Sequence, residues 1–457
     1  MKRIAILTAG GDTPALNATI YGAVEQANRL KIDVFGLQRG YAGLLDSRVP
    51  HVHLNPLFTT IPELSPLAGG TLLGSSRTYI DETNAEQMQR AHSNIERLKV
   101  DGLLCIGGDG TINGMQPFSD ALPCVLAPKT IDNDLGLNYI EEANEWLRVD
   151  DGNGGFVEQR QPGRDQIELD DIINYATPGF ATAVSVVAQC VERVRTTAES
   201  HRRVAIVEVM GRQSGYIALG AAYGQPDIIL IPEVPVDLDQ LEKRVRELYS
   251  IQQHVVIVVG EGARLPDGTE LGATRNAHDP AGNVLYDGAG DALAHELGMR
   301  LGDRMFAEMR SFEPSSAALF TRKVGHTQRG GRPILFDRFC ASQVGGKAVE
   351  LLASGFNNEM ATMQYSRENG FAVSSISANK LRDQWGEIHP RQVHRSLFDE
   401  QRLHLSRFGR EYLTPIFTHA LGADDVESMQ TRTFHPGNLT CSYQSVNTDI
   451  RKRMRFL

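Results

Sequence analysis

Short runs of β-branched and other apolar residues recur along the first 260 residues of the chain, and several stop at glycine or at an acidic residue. Runs of this kind predict buried strands. The strands predicted in this way are 3–8, 101–106, 122–127, 204–209, 227–231 and 254–259. Apolar positions with helical spacing lie between them, at 16–29, 85–98 and 181–198. This alternation predicts an α/β fold in which mostly parallel sheets are covered by helices on both faces.

The alternation is lost in two places. Residues 135–175 are polar and acidic and show no clear periodicity, so we predict that they form an inserted surface flap. From about residue 385 strands and helices no longer alternate, and residues 385–457 are predicted to be a C-terminal extension whose role the sequence does not indicate.

Composition restricts the class of protein. The chain has 457 residues, which predicts two or three compact units, and 41% hydrophobic with 22% charged residues is typical of a soluble globular protein. The formal net charge of −10 disfavours nucleic acid and anionic membranes as partners, so a phosphate site must be built locally. Five widely spaced cysteines without a CxxC pair favour neither disulfides nor zinc, and the N-terminus lacks an export signal, so we expect a cytoplasmic protein.

Three polar loops follow predicted strands, at residues 10–12, 107–111 and 128–134. Parallel sheets bind ligands at the carboxyl ends of their strands, so we expect these loops to meet in one cleft. Glycines in the first two loops allow backbone N–H groups to approach a phosphate chain. A single Gly-Gly pair is more typical of a tight turn, whereas two such loops in one cleft favour a phosphate site. The chain contains no Walker motif and no G-x-G-x-x-G.

Acidic residues in the same loops suggest phosphoryl transfer. Asp109 is placed to bind Mg²⁺ on a phosphate chain, with Asp12 or Asp134 in support. Asp132 is a candidate general base for an attacking hydroxyl. Helix capping is the ordinary role of one Asp at a loop, but it explains all of them poorly.

Six motifs together resemble the 6-phosphofructokinase family and occur in its order, at 10–12, 107–111, 128–134, 210–212, 231–233 and 325–331. The G-G-D-G-T motif alone is similar in NAD kinases and diacylglycerol kinases, whereas the T-I-D-N-D, M-G-R and G-H-x-Q-R-G-G motifs together are specific. The resemblance covers about residues 1–380 apart from 135–175.

The resemblance implies two Rossmann-like three-layer αβα domains with the active site in the cleft between them. We expect a larger phosphate-donor-binding domain at 1–134 and 252–312, and a smaller sugar-phosphate-binding domain at 176–251 and 313–384. The implied reaction moves the γ-phosphoryl of ATP, with Mg²⁺, to the 1-hydroxyl of fructose 6-phosphate and gives fructose 1,6-bisphosphate, a step of glycolysis.

The resemblance also implies roles for individual residues, Asp132 being the base and Asp109 the magnesium ligand. The implied catalytic residues are Asp132, Thr130, Arg77 and Gly11. The implied donor-binding residues are Gly11, Arg77, Thr78, Gly108, Asp109, Gly110, Thr111 and Lys129. The implied substrate-binding residues are Thr130, Ile131, Asp132, Asp134, Arg203, Met210, Gly211, Arg212, Glu233, Arg322, His326, Thr327, Gln328 and Arg329.

Two family positions bear on the donor and two on assembly. Gly110 goes with ATP because an aspartate there would repel the α-phosphate, whereas Lys129 is what pyrophosphate-dependent members carry. We favour ATP and keep pyrophosphate as the alternative. Arg203 matches an arginine shared between subunits, which implies a homo-oligomer, a dimer or a tetramer. A second such arginine is expected where this chain has Phe320, and Arg322 is the candidate replacement.

Two other functions remain open from the sequence. One is a kinase for another sugar phosphate or a nucleoside, which His326 and Arg329 disfavour because the resemblance places them on a 6-phosphate. The other is a non-catalytic regulatory subunit, which would be expected to have lost Asp132, Asp109 or Arg77.

Overall fold

The structure is a computed structural model that describes all residues except 77, 79, 81–82, 151, 153, 162, 279–283, 308–317 and 419–445. The strands of the described part, β1 to β17 in chain order, are Arg3–Thr8, Asp33–Leu37, His51–His53, Gly102–Gly107, Cys124–Pro128, Trp146–Asp150, Phe156–Arg160, Val204–Val209, Ile228–Leu230, Val255–Gly260, Ala273–His278, Val284–Tyr286, Leu319–Lys323, Glu359–Ser366, Gly370–Ser377, Phe398–Asp399 and His404–Leu405. The α-helices, α1 to α11, are Leu16–Leu30, Tyr41–Leu45, Ala85–Leu98, Asp109–Ser119, Phe180–His201, Tyr216–Gly220, Leu238–Gln252, Ala289–Ala307, Leu335–Ala353, Arg407–Phe417 and Val446–Arg453.

The first sheet has seven strands in the order β15-β14-β5-β4-β1-β2-β3. Its inner strands are parallel, and the outermost pair at each end is antiparallel. Strands β1, β4 and β5 are buried almost throughout, as expected for apolar runs covered on both faces.

The second sheet has four parallel strands in the order β13-β8-β10-β9. Strands β8, β9 and β10 are buried along their whole length, and β13 is the partly exposed edge. The predicted α/β fold class with two mostly parallel sheets is therefore confirmed.

Two segments belong to a different sheet from the one that the predicted domain limits imply. Strand β10, which we assigned to the first domain within 252–312, lies in the second sheet between β8 and β9. The hairpin of β14 and β15, which we assigned to the second domain within 313–384, joins the first sheet beside β5. A continuous apolar run predicts a buried strand but carries no information about which sheet it enters, and this explains both differences.

The segment 135–175 is a surface flap only in its middle. The hairpin of β6 and β7 is largely exposed, with Phe156 at 52% and Val157 at 60% exposure. Both ends of the segment are buried, through side chains such as Leu135, Tyr139 and Tyr175. The polar composition reflects buried hydrogen-bonding groups such as the side chain of Asn138, in addition to exposed ones.

Helices α1 and α9 cross at backbone contact distance. A Cβ at Gly22 would lie 2.0 Å from the carbonyl oxygen of Ser342, and one at Gly345 would lie 2.1 Å from that of Thr19. Because α9 follows the loop 325–331 directly, this crossing fixes that loop beside the start of α1 and the loop after β1. Among the described helices, none combines the length and apolar character that a membrane crossing requires.

Candidate active site

Loops at the carboxyl ends of both sheets enclose one cavity of about 330 Å³. It lies where the loops after β1, β4 and β5 of the first sheet face the loops after β8 and β13 of the second. The predicted residues that line it are Gly11, Thr78, Gly108, Asp109, Gly110, Thr111, Lys129, Thr130, Asp132, Asp134, Arg212 and Arg329.

The loop after β1 lines the cavity with the backbone of two glycines, Gly10 and Gly11. Gly10 has a φ of +79°, its N–H donates to the Ser76 carbonyl at 3.1 Å, and its own carbonyl accepts from Ser75 Oγ at 2.6 Å. A Cβ at Gly11 would lie 2.5 Å from Nη1 of Arg329, and that nitrogen donates to the Asp12 carbonyl at 3.4 Å. Glycine at position 11 therefore lets an arginine from the loop after β13 lie against the loop after β1.

The loop after β4 leads directly into α4, which begins at Asp109. A Cβ at Gly107 would lie 1.9 Å from Oγ1 of Thr111, so glycine is required where the strand turns into the helix. By contrast, a Cβ at Gly110 would meet no atom within 4 Å. The N-terminus of α4 and the open space beside Gly110 suit the approach of a phosphate group.

The loop after β5 holds a carboxylate below the surface. Asp132 is 6% exposed, its N–H donates to Thr130 Oγ1 at 3.0 Å, and within the described part of the chain its Oδ1 has no hydrogen-bond partner. Asn133 follows with a φ of +56°, a left-handed conformation that turns the chain and leaves Asp132 and Asp134 both lining the cavity. A buried carboxylate oxygen without a partner is suited to a hydroxyl group of a ligand.

The carboxylates of the cavity repel one another. Burial, and then the negative charges of Asp132 and Asp109, raise the pKa of Asp134 to about 7. A cation would relieve this repulsion, so the residues present fit Mg²⁺, which takes one or two carboxylates and completes its shell with phosphate and water oxygens. No group of three or more potential ligands that would form an all-protein metal cage occurs among the described residues.

Two cations, Lys129 and Arg329, also line the cavity. Lys129 is 3% exposed, and its Nζ donates to the Gly11 carbonyl. Burial, and then the positive charge of Arg329, lower the pKa of Lys129 to about 8. The cavity thus combines two cations with a carboxylate cluster, which is the charge distribution that a bound metal and phosphate chain require.

Two buried glutamates beside the second sheet accept hydrogen bonds from backbone N–H groups of the neighbouring loops. Oε1 of Glu261, at the end of β10, accepts from the N–H groups of Gly211 at 3.3 Å and Arg212 at 3.0 Å. Oε1 of Glu233, after β9, accepts from the N–H groups of Gly215 at 2.8 Å and Val393 at 2.7 Å. Burial raises the pKa of each of the two glutamates to about 7.

The sequence profile described as Phosphofructokinase matches residues 3–139 and 167–352. The chain belongs to the phosphofructokinase family. It is 37% identical to ATP-dependent 6-phosphofructokinase 2 of Streptomyces coelicolor over 79% of this chain and 91% of the relative. It is 36% identical to pyrophosphate–fructose 6-phosphate 1-phosphotransferase of Dictyoglomus thermophilum over 77% of this chain and 87% of the relative. The crystal structure of the pyrophosphate-dependent phosphofructokinase of Marinobacter aquaeolei superposes over 92% of both chains with a TM-score of 0.68 at 19% identity, which establishes a shared fold.

The other predicted residues that the structure describes do not line the cavity. Arg77 lies outside the described residues. The Ile131 side chain is fully buried in the hydrophobic core, and Gln328 is also fully buried, with its amide nitrogen donating to the Gly325 carbonyl. Other predicted residues lie on or beside the strands of the second sheet and do not line the cavity: Arg203, Met210, Gly211, Glu233, Arg322, His326 and Thr327.

Several residues of the site were not predicted. Tyr41 lines the cavity, and its hydroxyl donates to the Thr111 carbonyl at 2.9 Å. Glu261 could have been noticed because it ends a buried strand in the same way as other loop residues of the site. The remaining unpredicted lining residues are Ala9, Thr13, Ser76, Asn113 and Gly114, whereas Gly10 belongs to the predicted loop 10–12.

Proposed function

We propose that this chain is an ATP-dependent 6-phosphofructokinase, which transfers the γ-phosphoryl group of ATP to the 1-hydroxyl of fructose 6-phosphate and releases ADP and fructose 1,6-bisphosphate. The observation that carries the proposal is the buried Asp132, which lines a cavity together with glycine loops and two cations and whose Oδ1 has no hydrogen-bond partner among the described residues. Membership of the phosphofructokinase family and the names of the relatives support the same reaction.

In this mechanism Asp132 accepts the proton of the sugar 1-hydroxyl as its oxygen bonds to the γ-phosphorus and the bond to the β-phosphate oxygen breaks. Transfer occurs late, so a carboxylate of low basicity suffices. Thr130 Oγ1 holds the N–H of Asp132 and so fixes the loop. The amides near Gly11 and at the start of α4, with Arg77 and Lys129, bind the phosphate chain.

Mg²⁺ would be held by Asp109, with Asp134 close enough for their charges to interact. When bound, it would neutralise charge on the phosphate chain. The pKa of Asp134 is raised by burial and then by neighbouring carboxylates, so a cation in the cavity would favour its ionised form.

The sugar would be bound on the side of the second sheet. We assign Met210, Gly211, Arg212 and Glu233 to its hydroxyls, with His326 and Arg329 on its 6-phosphate. The guanidinium of Arg329 reaches the cavity from the loop after β13, which suits an anion held between the two sheets.

ATP is favoured over pyrophosphate because the space beside Gly110 is open, so that the nucleotide's α-phosphate meets neither atoms nor a like charge there. Pyrophosphate dependence is the second candidate, and Lys129 supports it, because its ammonium lies against the Gly11 loop where a second phosphate could be bound.

We also propose a cytoplasmic homo-oligomer. The described cysteines are free thiols, as expected in a reducing compartment. Arg203 is partly exposed and does not line the cavity of its own chain, which suits a contact with a neighbouring subunit. Sedimentation of the full chain measures the assembly.

A side-by-side assay tests the function. Purified protein is supplied with fructose 6-phosphate and Mg²⁺ and with either ATP or pyrophosphate, and fructose 1,6-bisphosphate is measured. We expect turnover with ATP, abolished by EDTA and restored by added Mg²⁺. Turnover with pyrophosphate but not with ATP would make pyrophosphate the donor. If no product formed with either donor, the proposed function would be wrong.

A further inference from the structure

Residues 391–393 of the C-terminal extension contact both the loop after β5, which carries Asp132, and Glu233. Arg391 is 2% exposed, and its guanidinium donates to backbone carbonyl oxygens of three residues. Its Nε and Nη2 donate to the Asn133 carbonyl at 3.1 and 2.6 Å, and its Nη1 donates to the carbonyls of Ile173 at 3.2 Å and Asn174 at 2.8 Å. A planar fork of this kind fixes the orientation of the peptide that it binds.

The backbone of the same segment continues these contacts. The N–H of Arg391 donates to the Asp134 carbonyl at 2.6 Å, and its carbonyl accepts from Ser214 Oγ at 2.9 Å. Two residues later, the N–H of Val393 donates to Oε1 of Glu233 at 2.7 Å. One short segment therefore touches both the loop that carries Asp132 and the glutamate assigned to the sugar.

The bound loop has a conformation that needs support. Asn133 adopts a φ of +56° between two carboxylates that line the cavity, and such a conformation persists only where the surroundings hold it. Arg391 holds its carbonyl, and Tyr412, also in the extension, accepts from its Nδ2 at 2.7 Å. The N–H of Thr177 also supports the loop, donating to Asn133 Oδ1 at 2.9 Å. Arg391 and Tyr412 both lie beyond residue 385, outside the ranges 3–139 and 167–352 that the family profile matches.

We propose that residues 391–393 are a positioning strap that holds the Asp132 loop and Glu233 in one arrangement, so that the C-terminal extension is part of the active site. The inference rests on the proposed roles of Asp132 and Glu233. Arg391 does not line the cavity, and it acts through the loop that it orients.

The donor loops after β1 and β4 make none of the strap contacts described above, so the strap affects the two substrates unequally. In Arg391→Ala, the Asp132 loop loses its guanidinium support, and we expect kcat to fall about 100-fold, the cost of roughly 1 Å of misplacement. The KM for ATP should stay within about threefold of the parent value. Guanidinium chloride at tens of millimolar should restore part of kcat, which a general loss of folding would not permit.

Two further variants separate positioning from folding. Arg391→Lys keeps the charge but loses the fork, so we expect an intermediate kcat. Val393→Pro removes the N–H that donates to Glu233, and we expect a higher KM for fructose 6-phosphate with an unchanged KM for ATP. Arg195→Ala is the matched control, because Arg195 also donates to a backbone carbonyl, that of Gly224, and neither residue lines the cavity.

Circular dichroism and the Tm establish that each variant is folded. A folded Arg391→Ala enzyme with parental kcat overturns the strap and leaves the proposed function intact. If Arg391→Ala does not fold, Arg391→Lys decides: a loss of kcat without a loss of ATP affinity supports the strap, and parental kinetics overturn it. A parent chain without fructose 6-phosphate phosphorylation overturns the function and the strap together.

Discussion

The loops after β1 and β4 meet the cavity with glycine backbone, whereas the loops on the second sheet meet it with groups that other buried side chains hold in place. Gly11 and Gly110 act through the room that they leave. Arg212, which lines the cavity, belongs to a turn in which the N–H groups of Gly211 and Arg212 donate to the buried Glu261. A backbone site is thus defined within a few residues of sequence, while a side-chain site depends on contacts from distant parts of the chain.

Asp132 lies where these two kinds of wall meet, and its removal gives the largest expected effect. Asp132→Asn keeps the shape but cannot accept the hydroxyl proton, so we expect kcat to fall by about two to four orders of magnitude. The KM for fructose 6-phosphate should change little, because binding does not need the proton transfer. Steady-state kinetics with ATP and Mg²⁺ measure both constants.

Asp120→Asn is the matched control, since Asp120 is an exposed carboxylate at the end of α4. It should retain parental kinetics. If Asp132→Asn turned over at near the parental rate, the base would have to be another group of the cavity, with Asp134 the next to test.

Gly11→Ala tests the backbone wall. The added methyl group would lie 2.5 Å from Arg329 Nη1, so the guanidinium must move away from the loop after β1. We expect kcat/KM to fall by about one to two orders of magnitude. Gly346→Ala in α9 is the control, because its Cβ would have ordinary contacts of 3.6 Å or more and alanine favours the helix. Equal kinetics of the two variants would mean that the glycine at position 11 only forms a turn.

The same contrast explains how far the sequence could be interpreted. The strand positions and the glycine loops were predictable, because apolar runs and short motifs are local signals, and Arg3–Thr8 and Val204–Val209 begin and end at the predicted residues. The sheet that β10 joins was not predictable, because a strand's pairing partners depend on tertiary packing and not on its own apolar run. The contacts of Arg391 and Val393 were not predictable either, because they join residues more than 150 positions apart in the chain.

Lys129 gives a smaller effect that depends on pH. Its pKa is lowered to about 8, first by burial and then by Arg329, so the ammonium loses its proton as the pH rises through this value. If the ammonium binds the phosphate donor, kcat/KM for ATP should fall up to about tenfold per pH unit above pH 8. Lys129→Met should be less active at pH 7 and should lack this decline. An identical alkaline decline in both proteins would assign it to another group.

Glu261 carries the smallest predicted effect, and it concerns stability. Burial, and then the charge of Asp132, raise its pKa from 4.5 to about 7, so between these values the folded protein keeps a proton that the unfolded chain has lost. The resulting contribution is fully present below pH 4.5 and is lost as the pH rises through 7, because the free energy of unfolding falls while the folded state binds more protons. Glu261→Gln can still accept from the N–H groups of Gly211 and Arg212 but does not titrate.

The stability of Glu261→Gln relative to the parent should therefore increase between pH 5 and pH 7.5, by on the order of 1 kcal/mol. Urea unfolding at several pH values measures this difference. The exposed Glu368, in the turn between β14 and β15, supplies the control, and Glu368→Gln should show a difference that does not vary with pH. A constant difference for Glu261→Gln as well would mean that Glu261 is ionised in the folded protein, and that the turn at Gly211 and Arg212 is held by a charged carboxylate.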